Sequence, residues 1–243
     1  MKGSRSFCLQ RLTINPVIRY DYLLVKEREW VLYRTIIWDW NGTLLDDVAF
    51  AVSLTNRVFG RWGIPAFESV DAYRAIFDFP VREYYRRAGV GDDIFDEVAN
   101  AWASGYAAEF DCPLRADTME TVRRFKAAGF DQVIISASPL AALTDQVARY
   151  PELAGHLDRL MGLSHIYATS KVHLAQDYLK EMGLKPQEVI LLGDTRHDHQ
   201  VAEAVGCDCL LIADGHQPKA ALESTGRKVM GSLREAADWI LNA

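Results

Sequence analysis

From Pro113 onward the chain alternates between short apolar runs and amphipathic ones, and no other feature limits its fold so narrowly. "TMETVRRFKAAG" reads as an amphipathic helix stopped by Gly129, and "DQVIISAS" as the strand that follows. "LAALTDQVARY" is a helix, "RLMGL" a short strand, and "KVHLAQDYLKEMG" a helix closed by Gly183. "EVILLGD" and "DCLLIAD" are strands separated by the helix "DHQVAEAVG", and "SLREAADWIL" is a closing helix. The strands are apolar at nearly every position, so both of their faces must be covered. A parallel sheet between two helical layers meets that demand.

One more buried strand precedes this series, the β-branched run "RTIIWDW" at 34–40. Between it and Pro113 the period turns helical and aromatic-rich, with Phe50, Phe59, Trp62, Tyr73, Phe77, Tyr84, Tyr85, Phe95, Trp102 and Tyr106. The expected fold class is therefore α/β: a Rossmann-like doubly wound parallel sheet with an inserted helical domain. Residues 34–47 and 113–243 form the core and 48–112 the insertion. Residues 1–33 have no clear period and read as a loosely attached extension, or as sequence upstream of the true start.

Composition excludes several partners. The chain has 243 residues with a formal net charge of −6, which gives no electrostatic footprint for nucleic acid or an anionic membrane. No apolar stretch approaches the ~20 residues needed to cross a bilayer. Gln10, Arg11, Asn15 and Arg19 break up any signal-peptide core. Four cysteines, Cys8, Cys112, Cys207 and Cys209, form no disulfide framework. Reduced thiols and a cytoplasmic location are the expectation.

In an open parallel sheet, ligands bind beyond the carboxyl ends of the strands. Here those ends carry Asp39, Ser136 and Asp194, with Asp198 four residues past Asp194 and Lys171 opening a helix. Three carboxylates, a hydroxyl, a cation and a glycine turn suit phosphoryl transfer with a hard divalent cation such as Mg2+, which takes oxygen ligands. An aspartate nucleophile divides one displacement into two. Gly42 lets the turn after Asp39 approach a phosphate without a Cβ.

These residues resemble the haloacid dehalogenase superfamily, in its branch with a helical cap between the first and second motifs. "DWNGT" (39–43) is similar to the family's Asp-x-Asp-x-Thr, Ser136 to its second motif, Lys171 to its third and "GDTRHD" to its acidic fourth. "PVREYYRRAG", "SAS" and "ADGHQ" look most like phosphoglycolate phosphatases and β-phosphoglucomutases. The resemblance covers about residues 35–241 and makes the inserted domain an α-helical cap. It implies a nucleophile at Asp39, and Mg2+ ligation by Asp39, Asp194 and the Asn41 carbonyl with Asp198 in support. It also implies phosphate or substrate contacts from Gly42, Thr43, Ser136, Ala137 and Lys171, and a cap-loop arginine, Arg82, reaching a small phosphorylated metabolite. Haloacid dehalogenases proper need no metal, so Asp194 and Asp198 argue against that chemistry. Phosphonate-cleaving relatives use a cap lysine, and Val48–Pro113 contains none.

One position departs from the pattern. Asn41 stands where the family places its general acid and base, and an amide cannot give up a proton and take it back. The implied activity is a phosphatase lacking that carboxylate, with a catalytically weak phospholigand-binding protein as the alternative. Asp46 and Asp47 read as helix N-caps and do not replace it. "HDH" at 197–199 invites zinc, but adjacent residues on a helix point apart.

Overall fold

The computed structural model describes residues 33–242. β1 (Thr35–Trp38) leads into four helices: α1 (Val48–Gly60), α2 (Val70–Ile76), α3 (Val81–Arg87) and α4 (Phe95–Glu109). After these come α5 (Thr118–Ala127), β2 (Asp131–Pro139), α6 (Leu140–Val147), α7 (Pro151–Ala154), β3 (Arg159–Leu163) and α8 (Val172–Met182). The chain closes with β4 (Val189–Gly193), α9 (Arg196–Val205), β5 (Asp208–Ile212), α10 (Lys219–Glu223), β6 (Lys228–Met230) and α11 (Leu233–Leu241).

All six strands run parallel in the order β3-β2-β1-β4-β5-β6, which is the Rossmann order. The order reverses at β1, so the crevice beyond its carboxyl end is the topological switch point. Side-chain alternation divides the sheet into two faces. Ile36, Trp38, Ile134, Ile190, Leu192 and Ile212 share one buried cluster with Phe125 of α5 and Ile240 of α11. Ile37, Val133, Ile135, Leu191 and Leu211 share the other with Ala175 and Leu179 of α8 and Val201 of α9. Both faces are covered, as the unbroken apolar strands required.

The described helices α1 to α4 are not a detached body. Phe59, Tyr84, Phe95, Val98 and Tyr106 belong to the same apolar cluster as Trp38 and Leu192. The chain leaves and rejoins the sheet side by side: Asp46 N donates to Pro113 O at 2.9 Å and Arg115 N to Leu44 O at 2.9 Å.

Sequence periodicity overlooked β6 and the short helices α7 and α10. β6 has three residues at the sheet edge, too few to show a period. Cys112, Cys207 and Cys209 are free and buried. Cys8 and nearly all of the 1–33 extension lie outside the described residues. Among the described residues, no helix is long and apolar enough to cross a membrane.

Candidate active site

β1 ends where Asp39 N donates to Leu192 O at 2.9 Å, and the chain then turns on one carbonyl. The Trp40 oxygen accepts the N–H groups of Thr43, Leu44 and Leu45. The Trp40 indole is fully buried and donates to Gln146 Oε1 at 2.8 Å, which anchors the turn. Gly42 has φ +73, and a Cβ there would lie 2.4 Å from Asp194 Oδ2 and 2.7 Å from the His216 ring. Its absence of side chain serves packing against Asp194. The sequence reading gave Gly42 a role in phosphate binding, but its N–H is already donated to Asp47 Oδ1 at 2.8 Å. Thr43 is likewise reassigned: fully buried, it donates to Asp194 Oδ1 at 2.9 Å and lies 3.3 Å from Asp39 Oδ2. It holds two carboxylates and does not face the cavity.

Asp39, Asp194 and Asp198 are all buried, and one carboxylate oxygen from each lies within 4.8 Å of the others. Lys171, the N-cap residue of α8, reaches in to pair with Asp39 and with Asp198 Oδ1 at 2.8 Å. Thr195 caps α9, and Asp198 takes its hydroxyl at 2.7 Å. Burial would discharge Lys171, yet the charges of Asp198 and Asp39 outweigh it and keep the ammonium protonated. The Asp39 pKa is also pushed up, to about 8, by burial and then by Asp198 and Asp194 against the pull of Lys171. Asp194 also rises, chiefly through burial. Four buried carboxylates, with Asp47 the fourth, face two buried cations, Lys171 and His216. Fully ionised, the cluster has two negative charges in excess, and an oxygen-liganded divalent cation fits that deficit.

Asp47 is the principal correction to the sequence reading. It occupies the N-cap position of α1, but its side chain makes no cap bond. Instead Oδ2 accepts from Asn41 Nδ2 at 2.8 Å and from the Tyr106 hydroxyl at 2.6 Å, while Oδ1 faces His216 Nε2 at 3.2 Å. The Asn41 amide is fully engaged, because its Oδ1 accepts from Ser138 Oγ at 2.9 Å. Burial lowers the His216 pKa, but the Asp47 charge and hydrogen bond, with Asp194 and Asp39, lift it to about 9. Burial raises Asp47, and His216 with the donors around it holds it below the usual carboxylate range.

This pair gives a stability prediction. His216 has a higher pKa folded than unfolded, so its contribution is complete below the unfolded value of about 6.5 and is lost as pH rises through about 9. The Asp47 contribution is lost only at the acid end, as pH falls through its depressed folded value. In chelator, between pH 7 and 10, wild type should lose about 3 kcal/mol that His216→Gln does not lose. Denaturant midpoints of both proteins across that range provide the check.

The haloacid dehalogenase-like hydrolase family model matches residues 33–206, more than half the chain. The chain belongs to that family. Tyrosine-protein kinase PtkA of Mycobacterium tuberculosis is 24% identical over 83% of this chain and 71% of its own length. Phosphoglycolate phosphatase 1 of Pseudomonas aeruginosa is 22% identical over 84% of this chain and 78% of its own. A predicted phosphatase from Clostridium acetobutylicum superimposes with a TM-score of 0.77 at 17% identity, covering 87% of this chain and 100% of that one.

In this haloacid dehalogenase-like hydrolase, Asp39 opens onto a cavity of about 480 Å³ between the inserted helices and the strand ends. Asn41, Ser136, Ala137, Lys171 and Asp198 line it too. Ser136 Oγ accepts from Ser138 N at 3.0 Å, so its proton remains available to a ligand. Arg82 does not line the cavity. Its guanidinium lies over the Phe95 ring at 3.7 Å and pairs with Asp92 and Asp96 on the outside. The histidines of "HDH" part as expected, His197 stacking on Phe79 and His199 accepting from Arg227.

Sequence reasoning missed His216, Tyr106 and Ser138. The first lies in "ADGHQ", a stretch that carried resemblance but no stated chemistry, and Tyr106 was one aromatic among many.

Proposed function

We propose that the protein is a Mg2+-dependent phosphatase that passes the phosphoryl group of a small phosphorylated compound through Asp39. The carrying observation is the buried Asp39 at the cavity floor, paired to Lys171 and set beside Asp194 and Asp198. Asp39, Asp194 and the Asn41 carbonyl would hold the metal, with Asp198 in support. The bound metal neutralises charge on the carboxylates and on phosphate oxygens.

The phosphoryl group passes in two steps. A carboxylate oxygen of Asp39 forms a bond to phosphorus as the ester P–O bond breaks, and water later attacks the same phosphorus to free Asp39 and release phosphate. Lys171 and Ser136 face the transferring oxygens and favour the charge they develop. Asn41 offers no proton, so the departing oxygen leaves with little acid assistance and esters of acidic alcohols and acyl phosphates react fastest. The four inserted helices serve as the cap that screens the site from water. Free buried cysteines support a reducing, cytoplasmic working place. The locked Asn41 amide also favours a second reading, a phospholigand-binding protein with little turnover.

Phosphate release over a panel of phosphorylated metabolites and aryl phosphates, with magnesium or with chelator, tests the proposal. Turnover that requires magnesium is expected. Ligand binding without any turnover would replace the phosphatase by the second reading.

A further inference from the structure

We infer that the group leaving with the phosphate is uncharged and aromatic or otherwise apolar, which excludes small acids and bisphosphates from the preferred substrates. The inference rests on the phosphatase reading and concerns the part of the cavity beyond Asp39. Phe77, Tyr84, Tyr85, Phe95, Trp102 and Tyr106 are among the residues that line it. α4 brings Ala99, Ala103 and Ala107 to the same lining at four-residue spacing, and their small side chains leave the volume open. A phosphoryl group at Asp39 fills a minor part of about 480 Å³.

A second anion on the substrate would need an uncommitted cation in that space to offset its desolvation. No arginine is among the described residues that line it. The arginines nearby are already committed: Arg74 to the carbonyls of Gly215 and Asp214, Arg87 and Arg196 to Asp78, and Arg82 to Asp92 and Asp96. Lys171 and His216 are the lining cations, and both are held by carboxylates at the reacting end. Polar groups further out are uncharged, and the Tyr84 hydroxyl and His197 Nε2 among them have no protein partner. Thr55 Oγ1 accepts from Trp102 Nε1 at 3.0 Å, Asn100 Nδ2 donates to Asp96 O at 2.7 Å, and Gln146 accepts from Trp40. An aromatic ring, by contrast, meets edges and faces of its own kind.

The test compares 4-methylphenyl phosphate with 4-carboxyphenyl phosphate on the wild-type enzyme with magnesium. The carboxylate makes its phenol the better leaving group, so bond breaking alone favours that ester. The cavity reverses the order, and kcat/KM should be at least about tenfold higher for the methyl ester. Phosphoglycolate should fall below both. A second measurement is free of turnover: 2-naphthyl phosphate titrated into Asp39→Asn should bind, and Ala103→Trp added to that variant should weaken binding about tenfold or more. Equal or reversed kcat/KM, or phosphoglycolate as the better substrate, overturns the inference and leaves the phosphatase reading standing. Binding of naphthyl phosphate by a protein that hydrolyses no ester ends the phosphatase reading and upholds the cavity's preference. Failure to bind it overturns the inference.

Discussion

Asp39→Asn is expected to lose hydrolysis of every substrate, by roughly 10⁴-fold or more, as removal of a sole nucleophile does. The replacement is isosteric, and Lys171 keeps its 2.8 Å pair with Asp198. The fold should not suffer. Asp39 is raised toward about 8 by burial and by neighbouring carboxylates, so removing its charge relieves the cluster. The melting temperature in chelator should therefore equal or exceed that of wild type. Loss of activity together with loss of stability would instead mark Asp39 as a structural member of the network. Wild-type turnover in a variant of verified purity would remove the nucleophile from Asp39 altogether.

Asn41→Asp is the second large effect, and the structure changes what it should do. From sequence, the substitution returns an acid and base to the site and hastens poor leaving groups by ~10²–10⁴. In the fold, the new carboxylate would face Asp47 Oδ2 across the 2.8 Å now spanned by an N–H donor. Two anions cannot share that distance, so one must take up a proton or the side chains must part. The single variant should lose roughly 1–3 kcal/mol of stability near neutral pH. Exchanging the pair, Asn41→Asp with Asp47→Asn, restores a donor between the two side chains while conserving charge. The exchange also takes the Asp47 charge from His216, so the exchanged protein should remain less stable than wild type near neutral pH. The coupling between positions 41 and 47 should appear in a double-mutant cycle. The exchanged protein should also show the flattened dependence on leaving-group pKa across a series of aryl phosphates. If wild type already shows a flat dependence, another group supplies the proton.

The parts of this site legible in sequence were those fixed by the sheet. Asp39, Ser136 and Asp194 stand at or just past strand ends, and strand ends follow from apolar runs that a reader can count. Lys171 was legible because a cation at a helix N-terminus is disfavoured without an anion nearby. The pairing of Asn41 with Asp47 was not legible, because local sequence offers Asp47 a simpler use as a cap. The contact that overrides it comes from His216, which lies 169 positions away and reaches the site only through the sheet order. Arg82 failed for a related reason. Its place after Pro80 matched a motif, but Asp92, Asp96 and Phe95 fold back over it and turn the guanidinium outward.

Covalent capture of the phosphoryl group is the most direct test of the account. With Asn41 unable to activate water, dephosphorylation of Asp39 should be slow enough for the phosphoenzyme to accumulate. Intact mass after brief incubation with acetyl phosphate and magnesium should show one phosphoryl adduct, mapped by peptide analysis to Asp39 and missing from Asp39→Asn. An adduct on a different residue, or steady hydrolysis with no adduct in rapidly quenched samples, would contradict it.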